Sequence, residues 1–490
     1  MKKVVSLLLT AMLLLSSLGL ALAEEPVKIV LFQNTGKISS TGTTGSTAEA
    51  YKLVQDEILK QTGILVEVIV PEGTTTVEKL NAMLASGQQI DFFQGNWNEY
   101  AQAIQPLNAA LEANGQELVK AWTEWDPTAF TSLTDKEGNI MGMPRGGAWR
   151  AYPIWLRTDW LKDLGMETPT TVDELEKALA AFLENDCAGN GATVPLAVGL
   201  DGLNYGLSAG FTGKGYGNYF DEATGECKPV ELHPGYKDFV AKVAAWYQAG
   251  YIYKEAFSTD RSRYNELATK GNFGGFMYWY SLVTQRTPYA TEVDADAWYD
   301  FIAVDGPAGP SETHTDASAG AMMVPAMSKN VDAVVKYCNW CMSDISNHLT
   351  AELGLENVHW RWLDKENGVL ETLSNDYVGE FVATLGLVNE TQYKYDQPML
   401  AKHNQYLKNN LGKIQGILGA DDCFIVYDQK AISEACPTLS DIQRMMSEEI
   451  VKFMTGERPI DQWEDFIQSL YGIGMQELVN EYTRQYTAAQ

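Results

Sequence analysis

The sequence predicts an α/β fold divided between two lobes, and three observations lead there. The chain has 490 residues, more than one hydrophobic core of ordinary size organises. Beyond the N-terminal segment, apolar runs of strand length alternate with amphipathic runs of helix length, the pattern of a parallel sheet. A second series of strands and helices begins near "MGMPRGGAWRAYPIWLRTDWL", after a Gly- and Pro-containing stretch. With 45% hydrophobic and 20% charged residues, both lobes have material for a core.

Residues 1–23 stand apart from that fold. Lys2 and Lys3 precede an apolar stretch, and Ala21-Leu22-Ala23 offers small residues ahead of Glu24. This is the pattern of a secretory signal peptide cut after Ala23. No cysteine lies near the cut, so no lipid anchor is expected. No later run reaches the roughly 18 apolar residues that a membrane span needs. The mature chain is therefore expected to be exported and soluble, in the periplasm or at the cell envelope. The net charge of −28 excludes nucleic acid as a natural partner, because phosphate binding rests on clustered Lys and Arg.

"VKIVLFQNTG" (27–36) carries consecutive apolar residues and reads as a buried strand. A Ser/Thr/Gly stretch leads to the helix "TAEAYKLVQDEILKQTG", with Thr47 as N-cap and Gly63 as its stop. "ILVEVIVP" is the next strand, ended by Pro71. "TTVEKLNAMLASG" is a helix stopped by Gly87, and "QIDFFQGN" is a third strand. Parallel α/β sheets bind ligands outside the carboxyl ends of their strands. Here those ends carry Gln33, Asn34, Gln94, Asn96 and Trp97.

In the second series, Trp160, Leu161 and Leu164 share one helical face and Gly165 stops that helix. Pro169 fixes a bend. Thr170 or Thr171 caps the next helix, with Glu174 in capping-box position after Thr171. "KGNFGGFMYWYSLV" is a Gly-rich strand ending in Tyr278-Trp279-Tyr280, and the last 50 residues are helical.

Six cysteines in an exported chain permit disulfides, with Cys423–Cys436 the first pair expected. Cys338-Asn-Trp-Cys341 spells C-x-x-C, but inside an apolar helical pattern, which favours two core thiols over a redox or zinc role. "GLSAG" (206–210) matches the hydrolase motif G-x-S-x-G without the strand before it or the helix after it that a nucleophile elbow needs. No metal-protease, P-loop or zinc spacing appears. No catalytic residue, metal ligand or cofactor is predicted.

Four blocks in order resemble one known family. They are "EKLNAMLASGQQIDFFQ", "IWLRTDWLKDLGMETPTTVDELEKALAAF", "VVKYCNWCMSD" with "ELGLENVHWRW", and "MTGERPIDQWEDFIQSLYGIGMQELVNEY". They are similar to extracellular solute-binding proteins of carbohydrate ABC transporters, in the lipoprotein-like and alginate-binding branch. The resemblance implies a periplasmic-binding-protein-like fold with a ligand cleft between lobes and a membrane permease as partner. It places a signal peptide at 1–23, one lobe at 24–147 plus 319–375, and the other at 148–318 plus 376–490. Hinges are expected near 145–150, 315–320 and 370–380, and a monomer is expected.

Sugar rings have one apolar face, so their sites pair aromatic platforms with polar rims. Trp160, Trp246, Trp340 and Trp463 sit on helix stripes and read as core. Trp97, Trp279 and Trp360 sit at strand ends or in loops. Together with Tyr205, Tyr278, Trp149 and Arg150 they are the candidate ligand contacts, with Asn34, Gln94 and Asn96 beside them. A secreted glycoside hydrolase and a glycan-binding surface protein without a transporter remain as alternatives. Many relatives in the resembled family carry a calcium-holding loop after the Pro-Thr-Thr helix. Here that loop is "ENDCAGNGATVPL" (184–196), where Ala188 replaces an acid and the closing Asp-Glu pair is missing. Calcium prefers several carboxylates, so no tight site is expected, and Cys187 could instead tether the loop to Cys227.

Overall fold

A computed structural model describes residues 25–33, 45–71, 76–125, 129–145, 150–258, 261–278, 282–315, 320–366, 368–383, 394–395, 417–423, 425 and 427–490. The chain starts in the first lobe. Strand β1 (Val27–Phe32) lies parallel to β2 (Ile64–Ile69) and β3 (Phe92–Asn96). Helix α1 (Ala48–Thr62) joins β1 to β2, and α2 (Thr76–Ser86) joins β2 to β3. As predicted, the Thr47 hydroxyl accepts the Ala50 amide at 3.2 Å, and Gly63 ends α1 at φ 72°. A short helix α3 (Trp97–Tyr100) follows β3 at once, and β4 (Met143–Pro144) ends this first pass.

The chain then crosses over through β5 (Arg150–Ala151). The second lobe opens with β6 (Ile154–Arg157), α4 (Thr158–Asp163) and α5 (Val172–Glu184). Helices α6 (Leu200–Leu207), α7 (Pro234–Ala249) and α8 (Arg261–Ala268) follow. Next come β7 (Gly275–Met277), α9 (Val283–Thr291) and β8 (Tyr299–Ile302), the two strands flanking β6 antiparallel. Strand β9 (Thr313–Thr315) runs back along β5, and β10 (Gly320–Met323) inserts between β3 and β4 of the first lobe. Helix α10 (Val331–Ser343) packs on that sheet. A last crossing places β11 (Ile417–Leu418) beside β9, and α11 (Leu439–Thr455), α12 (Trp463–Gly472) and α13 (Met475–Ala489) complete the second lobe.

Each lobe buries both faces of its sheet. Ile29, Leu31, Phe92 and Met322 face Trp122 and Tyr337, whereas Phe32, Phe93, Ala321 and Met323 face Leu80 and Met83. Two-sided burial is why these strands read as continuous apolar runs. In the second lobe, Ile154, Leu156 and Met277 face Phe182 and Trp246, and Trp155, Phe276 and Tyr299 face Leu282 and Val283. The first core runs on through Tyr377, Phe381, Val382 and Ala383, past the boundary placed at 375. Trp160, Trp246 and Trp463 are buried as expected, and Trp340 lies at the edge of the first core, its indole donating to Gln61 at 3.1 Å.

The Arg157/Asp159 pair is a staple of the second lobe. Arg157 is 1% exposed, and its Nε donates to both Asp159 oxygens at 2.7 and 2.9 Å. Its Nη2 reaches Asp294 at 2.7 Å, and the guanidinium lies 4.6 Å from the Trp160 ring centre. Thr171 caps α5, accepting the Glu174 amide at 3.2 Å, but the Glu174 carboxylate returns to the Thr170 amide at 2.9 Å. The expected capping box is therefore displaced by one residue.

The disulfide expectations are corrected, because none of the six cysteines is joined in a disulfide. Cys436 packs against Thr438 and the Gly474 carbonyl, and Cys227 lies 3.5 Å from the Tyr427 hydroxyl. Cys187, half-buried, sits on the loop after α5. Cys338 and Cys341 are buried on the inner face of α10, and burial pushes the Cys338 thiol well up. That suits core thiols and not a thiolate.

Candidate ligand-binding site

The antiparallel pairing of β7 with β6 brings Tyr278, just past β7, beside the segment that enters the second lobe. Tyr152 lies in that segment, between β5 and β6. The Tyr205 ring, from α6, stacks on Tyr152 with centroids 4.7 Å apart and planes at 18°. Tyr278, 40% exposed, stands edge-on to Tyr152 at 5.7 Å. Tyr216 meets Tyr205 edge-on at 4.9 Å. Four tyrosines from four segments thus form one aromatic group at the strand ends that adjoin the crossings.

Glycine spacing seats this group. A Cβ on Gly202 would lie 2.4 Å from the Met277 carbonyl, and one on Gly206 would lie 2.7 Å from the Tyr152 carbonyl. Two glycines four residues apart share a helix face, so α6 rests directly on the backbone beneath Tyr205. Tyr216 is held from two sides. Its amide donates to the Thr313 hydroxyl of β9 at 2.9 Å, and its phenol donates to Glu231 at 3.0 Å. Burial pushes the Tyr216 phenol well up, and the Glu231 charge adds to this; burial likewise raises the Glu231 carboxyl. Tyr236 donates to Asn204 at 2.8 Å on the buried side of α6.

Of the residues predicted from sequence, Tyr205 and Tyr278 come together through Tyr152. Trp97 stands elsewhere, on the wall of a cavity of about 910 Å³ shared by both lobes. Its indole donates to the Ser132 carbonyl at 2.7 Å. Tyr427 and Asp421 line the opposite side, and Lys136 of the first lobe donates to the Ala488 carbonyl of the second at 3.0 Å. Asn96 is exposed and donates to Glu99 at 3.0 Å. Arg150 pairs through its backbone with Thr315 in the crossing.

Two of the predicted residues are buried. Gln94 is 2% exposed and lies in β3 opposite Met322 of β10. Trp360 is 1% exposed, with its indole donating to the Gly354 carbonyl at 2.7 Å and Trp362 edge-on at 5.3 Å. A ring enclosed in this way has no face for a sugar. Asn34, Trp149 and Trp279 lie outside the described residues. Sequence reasoning missed Tyr152, whose signal was an aromatic directly between a crossing and a strand. It also missed Tyr216 and Glu231, which carried no signal.

The hydrolase-like motif has no elbow. Ser208 is fully buried in right-handed helical conformation (φ −63°, ψ −33°), its hydroxyl donating to the Asn204 carbonyl at 2.6 Å. Among the described residues, no cluster of three or more His, Cys, Asp or Glu is arranged for a metal. In the loop after α5, one Asp186 oxygen accepts the Thr193 hydroxyl at 2.7 Å and the other the Gly191 amide at 2.8 Å. Asn190 donates to Asn272 at 2.7 Å. Both carboxylate oxygens already serve the loop, so calcium titrated into chelator-treated protein is expected to give no micromolar binding heat. Micromolar binding that disappears in Asp186→Ala would refute this.

Comparisons with known proteins extend the picture. Residues 42–347 match the sequence profile of the family described as bacterial extracellular solute-binding protein. The fructooligosaccharide ABC transporter substrate-binding protein FusA of Streptococcus pneumoniae is 24% identical over 315 residues, covering 58% of this chain and 56% of FusA, little more than half its length. Lipoprotein LipO of Bacillus subtilis is 22% identical over 465 residues, covering 88% of each chain. Among solved structures, an HMO binding ABC-transporter associated solute binding protein from Bifidobacterium longum infantis superposes with a TM-score of 0.69 at 17% identity, covering 95% of this chain and 99% of that one.

Proposed function

This chain belongs to the bacterial extracellular solute-binding proteins, and on that premise we propose that it captures an oligosaccharide, or a similar polar glycan, and delivers it to an ABC transporter permease. The observation that carries this reading is the tyrosine platform of Tyr152, Tyr205 and Tyr278. Flat aromatic faces contribute large contact area at low entropic cost and suit the apolar face of a sugar ring. The names of FusA and of the Bifidobacterium protein support the same ligand class. The platform's place at the strands that cross between lobes supports a ligand held between them, because one touching both lobes favours their closed arrangement. The protein works as an exported, soluble monomer, without a cofactor and without turnover. Among the described residues no helix is long and apolar enough to cross a membrane.

The test is calorimetry with an oligosaccharide selected from a thermal-shift panel, since a ligand of the folded state raises the melting point. Tyr205→Ala is expected to weaken binding by about 1–3 kcal/mol, the range for buried aromatic anchors. The oligosaccharide should be recovered intact after overnight incubation. Unchanged affinity in a folded variant removes the platform from the site, and new reducing ends would make the protein a glycoside hydrolase.

A further inference from the structure

Beside the platform, the second lobe holds a cavity of about 750 Å³ lined by its own residues. Resting on the glycan reading, we infer that this cavity receives an apolar substituent, such as an aryl aglycone or an acyl group, carried by the sugar that sits on Tyr152 and Tyr205. Its volume falls within the range of about 300–1,000 Å³ typical of small-molecule pockets.

The chemistry of the walls sets the ligand class. Phe257, Phe273, Phe276 and Leu282 supply an apolar interior. Ser447, Glu448 and Lys452 of α11, with Glu457 just past it, line one side, whereas two polar groups set among the apolar walls bond to protein. The Tyr264 hydroxyl donates to the Val198 and Ala256 carbonyls, each at 3.2 Å. The buried Arg286 donates from Nη1 to the Tyr264 carbonyl at 2.8 Å, with its guanidinium 5.8 Å from the Phe273 ring centre. A sugar hydroxyl driven into this interior would give up water for apolar walls, which is unfavourable without a new hydrogen bond. A flat or branched apolar group gains by the same burial. The exposed charges of Asp201 and Glu448 stand at the lining's wet edge, so the fitting molecule is apolar at one end and polar at the other.

Tyr278 joins the two sites. It lines the cavity and also stands edge-on to Tyr152. A glycan on the platform therefore has its neighbouring substituent at the cavity. The structure thus favours substituted glycans over their unsubstituted parents.

The experiment uses para-nitrophenol as the probe of the cavity, titrated into the full chain by calorimetry and ligand-observed NMR. One saturable site is expected, weakened at least tenfold by Leu200→Trp, which fills the cavity from α6. Val451→Trp, which fills it from α11, is expected to do the same and serves if the first variant does not fold. Para-nitrophenyl glycosides should then raise the melting point more than the parent sugars do. Absence of saturable probe binding, or probe binding unaltered in a folded tryptophan variant, overturns the inference. Titration of oligosaccharide into Tyr205→Ala judges the platform and titration of para-nitrophenol judges the cavity, so the two readings fail separately.

Discussion

Arg157→Ala is expected to cost about 3–5 kcal/mol of folding stability, the range for removing one partner of a buried ion pair. The physical cause is what the substitution leaves behind. Asp159 is 15% exposed in its side chain and loses the two-oxygen grip of Nε. Its carboxylate keeps the Trp298 amide, at 3.2 Å. Asp294 is 47% exposed, so water screens its loss and it contributes little. The guanidinium also fills space against Trp160 and Tyr299, at 4.6 and 5.8 Å from the ring centres, and alanine leaves that space empty. Arg157→Lys should recover only part of the loss, because an ammonium lacks the planar fork. Denaturant unfolding monitored by tryptophan fluorescence reads the difference. A midpoint unchanged in Arg157→Ala would show that the pair is balanced by its own desolvation.

Gly206→Val is expected to destabilise the fold by about 1–3 kcal/mol, as overpacking does, and to weaken glycan binding more than tenfold. A first carbon at this position already lies 2.7 Å from the Tyr152 carbonyl and 3.3 Å from the Met277 sulfur. Neither the backbone of the crossing segment nor β7 can retreat without moving the other, so α6 must lift. Tyr205 then leaves its 4.7 Å stack on Tyr152. Gly472→Ala is the control, since an added methyl there meets nothing within 4 Å. Calorimetry and unfolding on both variants check the expectation. Full affinity in a folded Gly206→Val protein would mean that the stack does not form the binding surface.

Where local signals act alone, sequence and structure agree. Thr47 and Gly63 bound α1 because a cap hydroxyl and a left-handed glycine satisfy helix ends with groups close in the chain. The strands of the first lobe were legible because two-sided burial demands unbroken apolar runs. Glu174 shows the limit of such reasoning. Its type and spacing fit a capping box, yet its carboxylate settled on Thr170, a choice between neighbouring amides that spacing does not make.

The site was only partly legible. Tyr278 could be selected because aromatics at strand ends lie near a sheet's binding edge, and Tyr205 as the aromatic of the Gly-rich stretch "DGLNYGLSAGF". Trp360 satisfied the same rule as Tyr278, and Gln94 stood at a strand's carboxyl end, yet the structure buries both. What separates these cases is long-range packing. Trp360 lies in a strand that folds over Leu349 and Leu370, whereas Tyr278 leaves its sheet beside the crossing. The sequence by itself determined the α/β character, the two cores and the limits of α1, because each depends on contacts a few residues apart or on composition. Only the tertiary structure decided that Tyr152, Tyr205, Tyr216 and Tyr278 form one aromatic group. Their meeting depends on the antiparallel return of β7 along β6 and on two glycines that let α6 rest on backbone, and neither is encoded at any single position.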